Sequence, residues 1–320
     1  MQRKEDSRSL RERVSIMLGA TDPAELVASL VEIEEAGVDH VWLGYGPAWN
    51  PDLLTTLAAA VARTTRLKVG TSIVQVSSRH PVLIAQQALS LSRLAPGRLK
   101  LGIGTGSPAL AKSIYGIEMK APLAYLREYA QVLRALLQQG ESHHQGRYFT
   151  VDVSLQAASQ VPLFVSALGP GAFRLAGEIA DGVLPVLCPL PYLTTTALSA
   201  LSAGADAAGR PCPPIVAHAL VAFTEDRATA LQVGRQAMRF YTTLPTYRNM
   251  FVAAGFSEQE ITAISDRLVE SLVVFGDESR IRDRLLEQLS SSVDELTITL
   301  VPISDASQEQ TRLARLIGQL

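Results

Sequence analysis

Short apolar strand signals alternate with helical ones from residue 14 to residue 301, and this rhythm restricts the fold more than any other feature. Strand signals cover residues 14–18, 38–43, 67–76, 98–103, 161–167, 182–187, 215–223 and 296–301. Helical stripes lie between them, over 51–63, 81–94, 122–139, 172–180 and 193–208, and a long helical region over 225–289 breaks at Pro245, Gly255 and Gly276. The first helix is announced by Asp22 before Pro23 and stopped by Gly37, a cap, a first-turn proline and a terminating glycine. Eight strands alternating with helices over this length fit an α/β fold, a (β/α)8 TIM barrel with insertions. A doubly wound open sheet competes, because local patterns do not reveal closure. The polar stretch 140–160 reads as a loop insertion. The expected organisation is a charged, flexible tail over 1–13 and a single domain over 14–320.

Several strands run into small or bare backbone. Leu99, Leu101 and Ile103 alternate with Lys100 and Gly102, and the strand then meets Gly104, Thr105, Gly106 and Ser107. Glycines at a strand end let a ligand approach the backbone closely. The third-glycine slot of a dinucleotide fingerprint holds Ser107 and no P-loop motif occurs, so neither a nicotinamide Rossmann site nor a P-loop fits. The second strand ends in Gly44, followed by Tyr45 and Trp49, aromatic rings suited to covering a flat ligand or packing the rim. The third carries the hydroxyls of Thr71 and Ser72 to the same level. The fifth ends in Ala167, Leu168, Gly169, Pro170 and Gly171 directly before a helix, and free N–H groups there favour a phosphate.

Composition removes other classes. A net charge of −2 leaves no basic footprint for nucleic acid. No apolar run is long enough for a membrane span, and the charged start lacks the pattern of a signal peptide. Two cysteines, Cys188 and Cys212, in so long a chain suit a reducing cytoplasm. Adjacent His143 and His144 point apart on extended backbone and lack a third ligand, so no metal site is expected. Arg235, Arg239, Tyr241, Tyr247 and Arg248 read by default as a solvated helix face, with a place on the substrate side as the alternative.

Taken together, the ordered segments Gly37-Val38-Asp39, Arg66 to Thr71, Arg79-His80-Pro81, Gly97 to Gly106, and Ala167 to Pro170 followed by Leu175 to Gly182 resemble the luciferase-like monooxygenase superfamily. Within it the chain is similar to coenzyme F420-dependent oxidoreductases. The resemblance implies a homodimer with a deazaflavin or flavin across the carboxyl ends of the strands. It implies a cis peptide at Ser72–Ile73 under the ring, and Gly104 to Ser107 beside the ring and ribityl chain. It also implies a phosphate at Ala167–Gly171, with Leu187 and Cys188 closing that end. Histidine and glutamate residues used by sugar-phosphate dehydrogenases of the family are replaced here by Gly44-Tyr45-Gly46 and Gly106-Ser107-Pro108. No acid or base therefore carries over, and Tyr45 is the candidate proton donor. Trp49, Tyr115, Tyr241 and Tyr247 are the substrate-side candidates. The expected activity is hydride transfer between reduced F420 and an activated C=C or C=N bond of a small molecule. The alternatives are an FMNH2-dependent monooxygenase and a non-catalytic flavin- or F420-binding protein.

Overall fold

The computed structural model describes residues 8–19, 22–44, 51–290 and 293–320. Its main sheet is parallel and built from β1 (Val14–Gly19), β2 (His40–Gly44), β3 (Lys68–Ser72), β4 (Val74–Gln75) and β5 (Leu99–Gly104) in the first half. A separate hairpin, β6 (Glu141–Gln145) and β7 (Thr150–Ser154), is antiparallel. The sheet continues through β8 (Leu163–Ser166), β9 (Gly182–Leu184), β10 (Val216–Ala222), β11 (Val273–Phe275) and β12 (Glu295–Leu300). The order runs β11-β10-β12-β1-β2-β3-β5-β8-β9, with β4 continuing β3 along β5. The sheet curls, so that β9 meets β10 through a parallel bridge between Val183 and Ile215.

All eight strand signals fall on strands of this sheet, and helices Pro81–Leu94 and Pro122–Gln139 lie where the sequence placed them. Three expectations change. The stretch read as a polar loop folds into the β6–β7 hairpin, because Glu128 of the preceding helix accepts hydrogen bonds from the backbone N–H groups of Arg147, Tyr148 and Phe149. The long helical region contains β11, which extends the free edge of β10. Within the segment expected to fray, Leu10–Arg13 is a helical turn closed by a Ser9–Glu12 capping box. It is held by Arg11 to Asp39 and by Arg13 to the carbonyls of Leu289 and Asp294.

The strands bury both faces. Outward residues such as Leu99, Leu101 and Ile103 join the large core under the helices. A smaller inner cluster holds Met17, Trp42, Ile73, Phe164, Leu184 and Val216. Trp42 fills the space that a side chain at Gly70 would need. Below it, at the amino ends of the strands, Lys100 lies mostly buried among the inward residues. Its Nζ is 3.4 Å from Glu295 Oε2 and 3.5 Å from His40 Nδ1, and it stands over the rings of Trp42 and Phe164. Burial, then the Lys100 charge, holds His40 well below the usual histidine range. His40 is therefore a neutral acceptor for the ammonium.

A buried cation stripped of its counter-charge destabilises more than the intact pair stabilises. Glu295→Gln should therefore lower the unfolding free energy by about 3 kcal/mol. Adding Lys100→Met should recover part of that loss by removing the orphaned charge. Urea midpoints of the two variants decide it, and equal midpoints would refute the pairing.

Candidate functional site

The carboxyl ends of the strands surround a cavity of about 440 Å³. Its floor is Gly44, Ser72 and Ile73, one side is Thr105, Gly106 and Ser107, and the other is Ser166 to Pro170. Apolar side chains including Leu123, Leu126, Tyr241 and Tyr247 roof it.

The floor depends on how β3 stops. Beyond Gly70 the β3–β5 ladder is interrupted and resumes at Val74 on β4. In the gap the Thr71 hydroxyl accepts from the Gly102 N–H at 2.9 Å and donates to the Gly102 carbonyl at 2.8 Å. A Cβ at Gly102 would overlap the Thr71 carbonyl, so only glycine permits this approach. The next peptide, Ser72–Ile73, is cis, as the resemblance implies. Ser72 Oγ and Gln75 Oε1 are buried without a hydrogen-bond partner among the described residues, two polar atoms at a largely apolar wall.

The far side is a helix start. Helix Pro170–Ile179 has Gly169 at its N-cap with no side-chain cap, and open space lies where a Gly169 side chain would go. First-turn N–H groups at such an end suit an anion. The helix is fixed from behind, because Gly177 and Gly204 bring it against helix Leu198–Ala207 with no room for a Cβ. Tyr192 Oη donates to the Leu168 carbonyl at 2.8 Å and steadies the turn.

A second cavity of about 370 Å³ shares Met17, Val186 and Tyr241 with the first and extends over the ends of β10 and β12. His218 lies in its wall. Its Nδ1 accepts from the Leu187 N–H at 3.3 Å and its Nε2 donates to Thr299 Oγ1 at 2.9 Å. Burial lowers its pKa to about 4, so the ring is neutral near pH 7. Leu187, at φ +56°, turns its N–H to that ring. Burial raises the pKa of both Tyr241 and Tyr247, so their hydroxyls keep their protons. The two rings meet at 5.0 Å.

The sequence candidates thus divide. Gly44, Ser72, Ile73, Thr105, Gly106, Ser107, Ala167, Leu168, Gly169, Pro170, Tyr241 and Tyr247 line the first cavity. Gly104 lies beneath it against Ser166, Leu187 lines the second, and Gly171 and Cys188 line neither. Tyr115 is exposed at the end of helix Pro108–Tyr115, outside both cavities. Tyr45 and Trp49 lie outside the described residues. Tyr241 and Tyr247 form cavity wall rather than a solvated helix face. Gln75, Phe240, His218 and Thr299 escaped the sequence reading. Only Gln75, a polar residue in an apolar strand, carried a local signal. Among the described residues no cluster of metal-ligating side chains occurs, and no helix is long and apolar enough to cross a membrane.

The family model described as luciferase-like monooxygenase matches residues 9–295. The chain belongs to that family. A Mycobacterium tuberculosis protein named as a coenzyme F420-dependent oxidoreductase is 28% identical, covering 93% of this chain and 96% of its own length. The F420-dependent glucose-6-phosphate dehydrogenase of Nakamurella multipartita is 35% identical over 66% of this chain and 67% of its own. The solved structure of an F420-dependent secondary alcohol dehydrogenase, in complex with an F420-acetone adduct, has the same fold. Its TM-score is 0.78 at 17% identity, covering 95% of this chain and 97% of that one. In this luciferase-like chain the cavities lie at the strand ends where α/β folds of this kind carry their sites.

Two measurements test this geometry. Thr71→Val leaves the buried Gly102 N–H and carbonyl without partners and should cost about 2–3 kcal/mol. An unchanged urea midpoint would show that the clamp contributes nothing. For His218, protonation is harder in the folded state than in the unfolded chain. Stability is therefore lost as pH falls from about 6.5 through 4, by roughly 2–3 kcal/mol near pH 4.5. His218→Gln should lose that much less between pH 7 and 4.5 than the parent protein does.

Proposed function

We propose that this protein is an F420-dependent oxidoreductase that transfers a hydride between reduced deazaflavin and an activated C=C or C=N bond of a small organic substrate. The curled sheet is read as a closed (β/α)8 barrel, with the Val183–Ile215 bridge as its seam. The carrying observation is the first cavity, whose lining combines an apolar wall, two unpartnered polar atoms and a helix start at Gly169.

These features fit a deazaflavin. Met17, Ile73 and Leu184 offer apolar contact to a flat ring, and Ser72 and Gln75 in the same wall each hold a buried oxygen that bonds no described residue. Thr105 to Ser107, above Gly104, suit the ring edge and ribityl chain, and Ala167 to Gly171 suit the phosphate. The bound deazaflavin supplies the hydride chemistry, while the protein supplies position and exclusion of water. Among the described residues no Lys, Arg, Asp or Glu lines either cavity. The proton therefore comes from a neutral donor. Tyr241 is the protonated hydroxyl between the two cavities, and Tyr45, outside the described residues, is the sequence candidate. Names of the relatives, two of them F420-dependent oxidoreductases, support F420 over FMN.

Fluorescence titration of the purified chain with F420 and with FMN tests the reading. F420 should bind at micromolar or tighter concentration and FMN more weakly, and the reverse order would move the assignment to a flavin monooxygenase. Gly169→Glu places a carboxylate at the helix start without strain, because its Cβ meets open space. It should weaken F420 binding about tenfold or more while leaving the unfolding midpoint in place.

A further inference from the structure

We infer that the second cavity is the substrate chamber and that it selects uncharged, largely apolar, ring-sized molecules while turning away anionic ones such as sugar phosphates. The inference rests on the first cavity holding the cofactor, as proposed above. The second space of about 370 Å³ adjoins it, with Met17, Val186 and Tyr241 common to both walls, so a molecule there lies beside whatever fills the first. That volume is at the small end for ligand pockets.

Charge decides the class. The chamber wall is Leu220, Val233, Ala237, Leu300 and similar side chains, with no cation or carboxylate among them. Its one titratable ring of the histidine type, His218, is neutral because it is buried, and both of its nitrogens are committed, to Leu187 and to Thr299. A phosphate or carboxylate entering this space would shed its water without gaining a counter-charge. Uncharged donors and acceptors remain at the rim, the Gln236 amide and the Tyr241 hydroxyl, neither of which bonds another described residue. They suit one carbonyl or imine group on an otherwise apolar molecule. The relative named as a glucose-6-phosphate dehydrogenase acts on a substrate that this chamber is built to refuse.

Calorimetric titration of the full chain, with and without F420, tests this using cyclohexenone, its ring-carboxylate analogue and glucose 6-phosphate. Cyclohexenone should bind, the carboxylate at least about tenfold more weakly, and glucose 6-phosphate without measurable heat. Ala237→Trp should abolish cyclohexenone binding and leave the F420 affinity within about twofold, since Ala237 lines only the second cavity. Gln236→Arg is a fold-safe second variant at an exposed position, and it should shift the preference about tenfold toward the carboxylate. Equal or preferred binding of either anion overturns the inference, as does F420 binding without any cyclohexenone binding, or enone binding that Ala237→Trp leaves intact. Cyclohexenone binding with its charge preference, but no F420 binding, supports the chamber and overturns the cofactor reading alone.

Discussion

The double hydrogen bond between the Thr71 hydroxyl and the Gly102 backbone is the interaction on which this site depends. A parallel ladder cannot break in a protein interior without orphaning an N–H and a carbonyl. Here one side chain satisfies both, donating to one group and accepting from the other. That frees β3 to leave its register after Gly70 and resume as β4. The cavity floor of Gly44, Ser72 and Ile73 lies at that break. Gly102 completes the arrangement by giving the Thr71 carbonyl room.

The molecule has a polar interior at one end of its sheet and an apolar one at the other. Lys100, His40 and Glu295 gather at the amino ends of the strands, where Trp42 and Phe164 shield them. At the carboxyl ends the described residues of the cavity linings hold no formal charge, and His218 among them is kept neutral by burial. Charge is thus spent on holding strands together, and the open end is left to neutral groups and backbone dipoles. An environment of that kind favours transfer of a hydride, which needs alignment and dryness more than it needs a strong acid.

Much of this was legible in the sequence because it is local. Helices Pro81–Leu94 and Pro122–Gln139 are written in their prolines, caps and apolar stripes. Small residues at strand ends marked Gly44, Ser72, Gly106 and Gly169. What could not be read is tertiary. Alternation along β5 separates Leu101 from Lys100 but cannot tell an inward face from a solvated one when both faces are covered. Strands β6 and β7 are half exposed and polar, and the glutamate that organises their turn lies on another element. Tyr241 and Tyr247 look like surface helix until the fold lays them across the cavities. The Val183–Ile215 bridge that brings β9 to β10 leaves no imprint on local composition.

The pairing of β11 with β10 has an evolutionary corollary. The chain leaves β10 after Ala222 and returns along the same edge, with Leu220 opposite Val273 and Ala222 opposite Phe275. Everything between is an excursion that starts and finishes on one strand, and it carries Tyr241, Tyr247 and Phe240. Lengthening such an excursion costs only about 0.6 kcal/mol per doubling in closure entropy, and the register of β10 on β12 does not change. The wall over the cavities can therefore be rewritten by insertion, deletion or wholesale exchange while the floor beneath stays as it is.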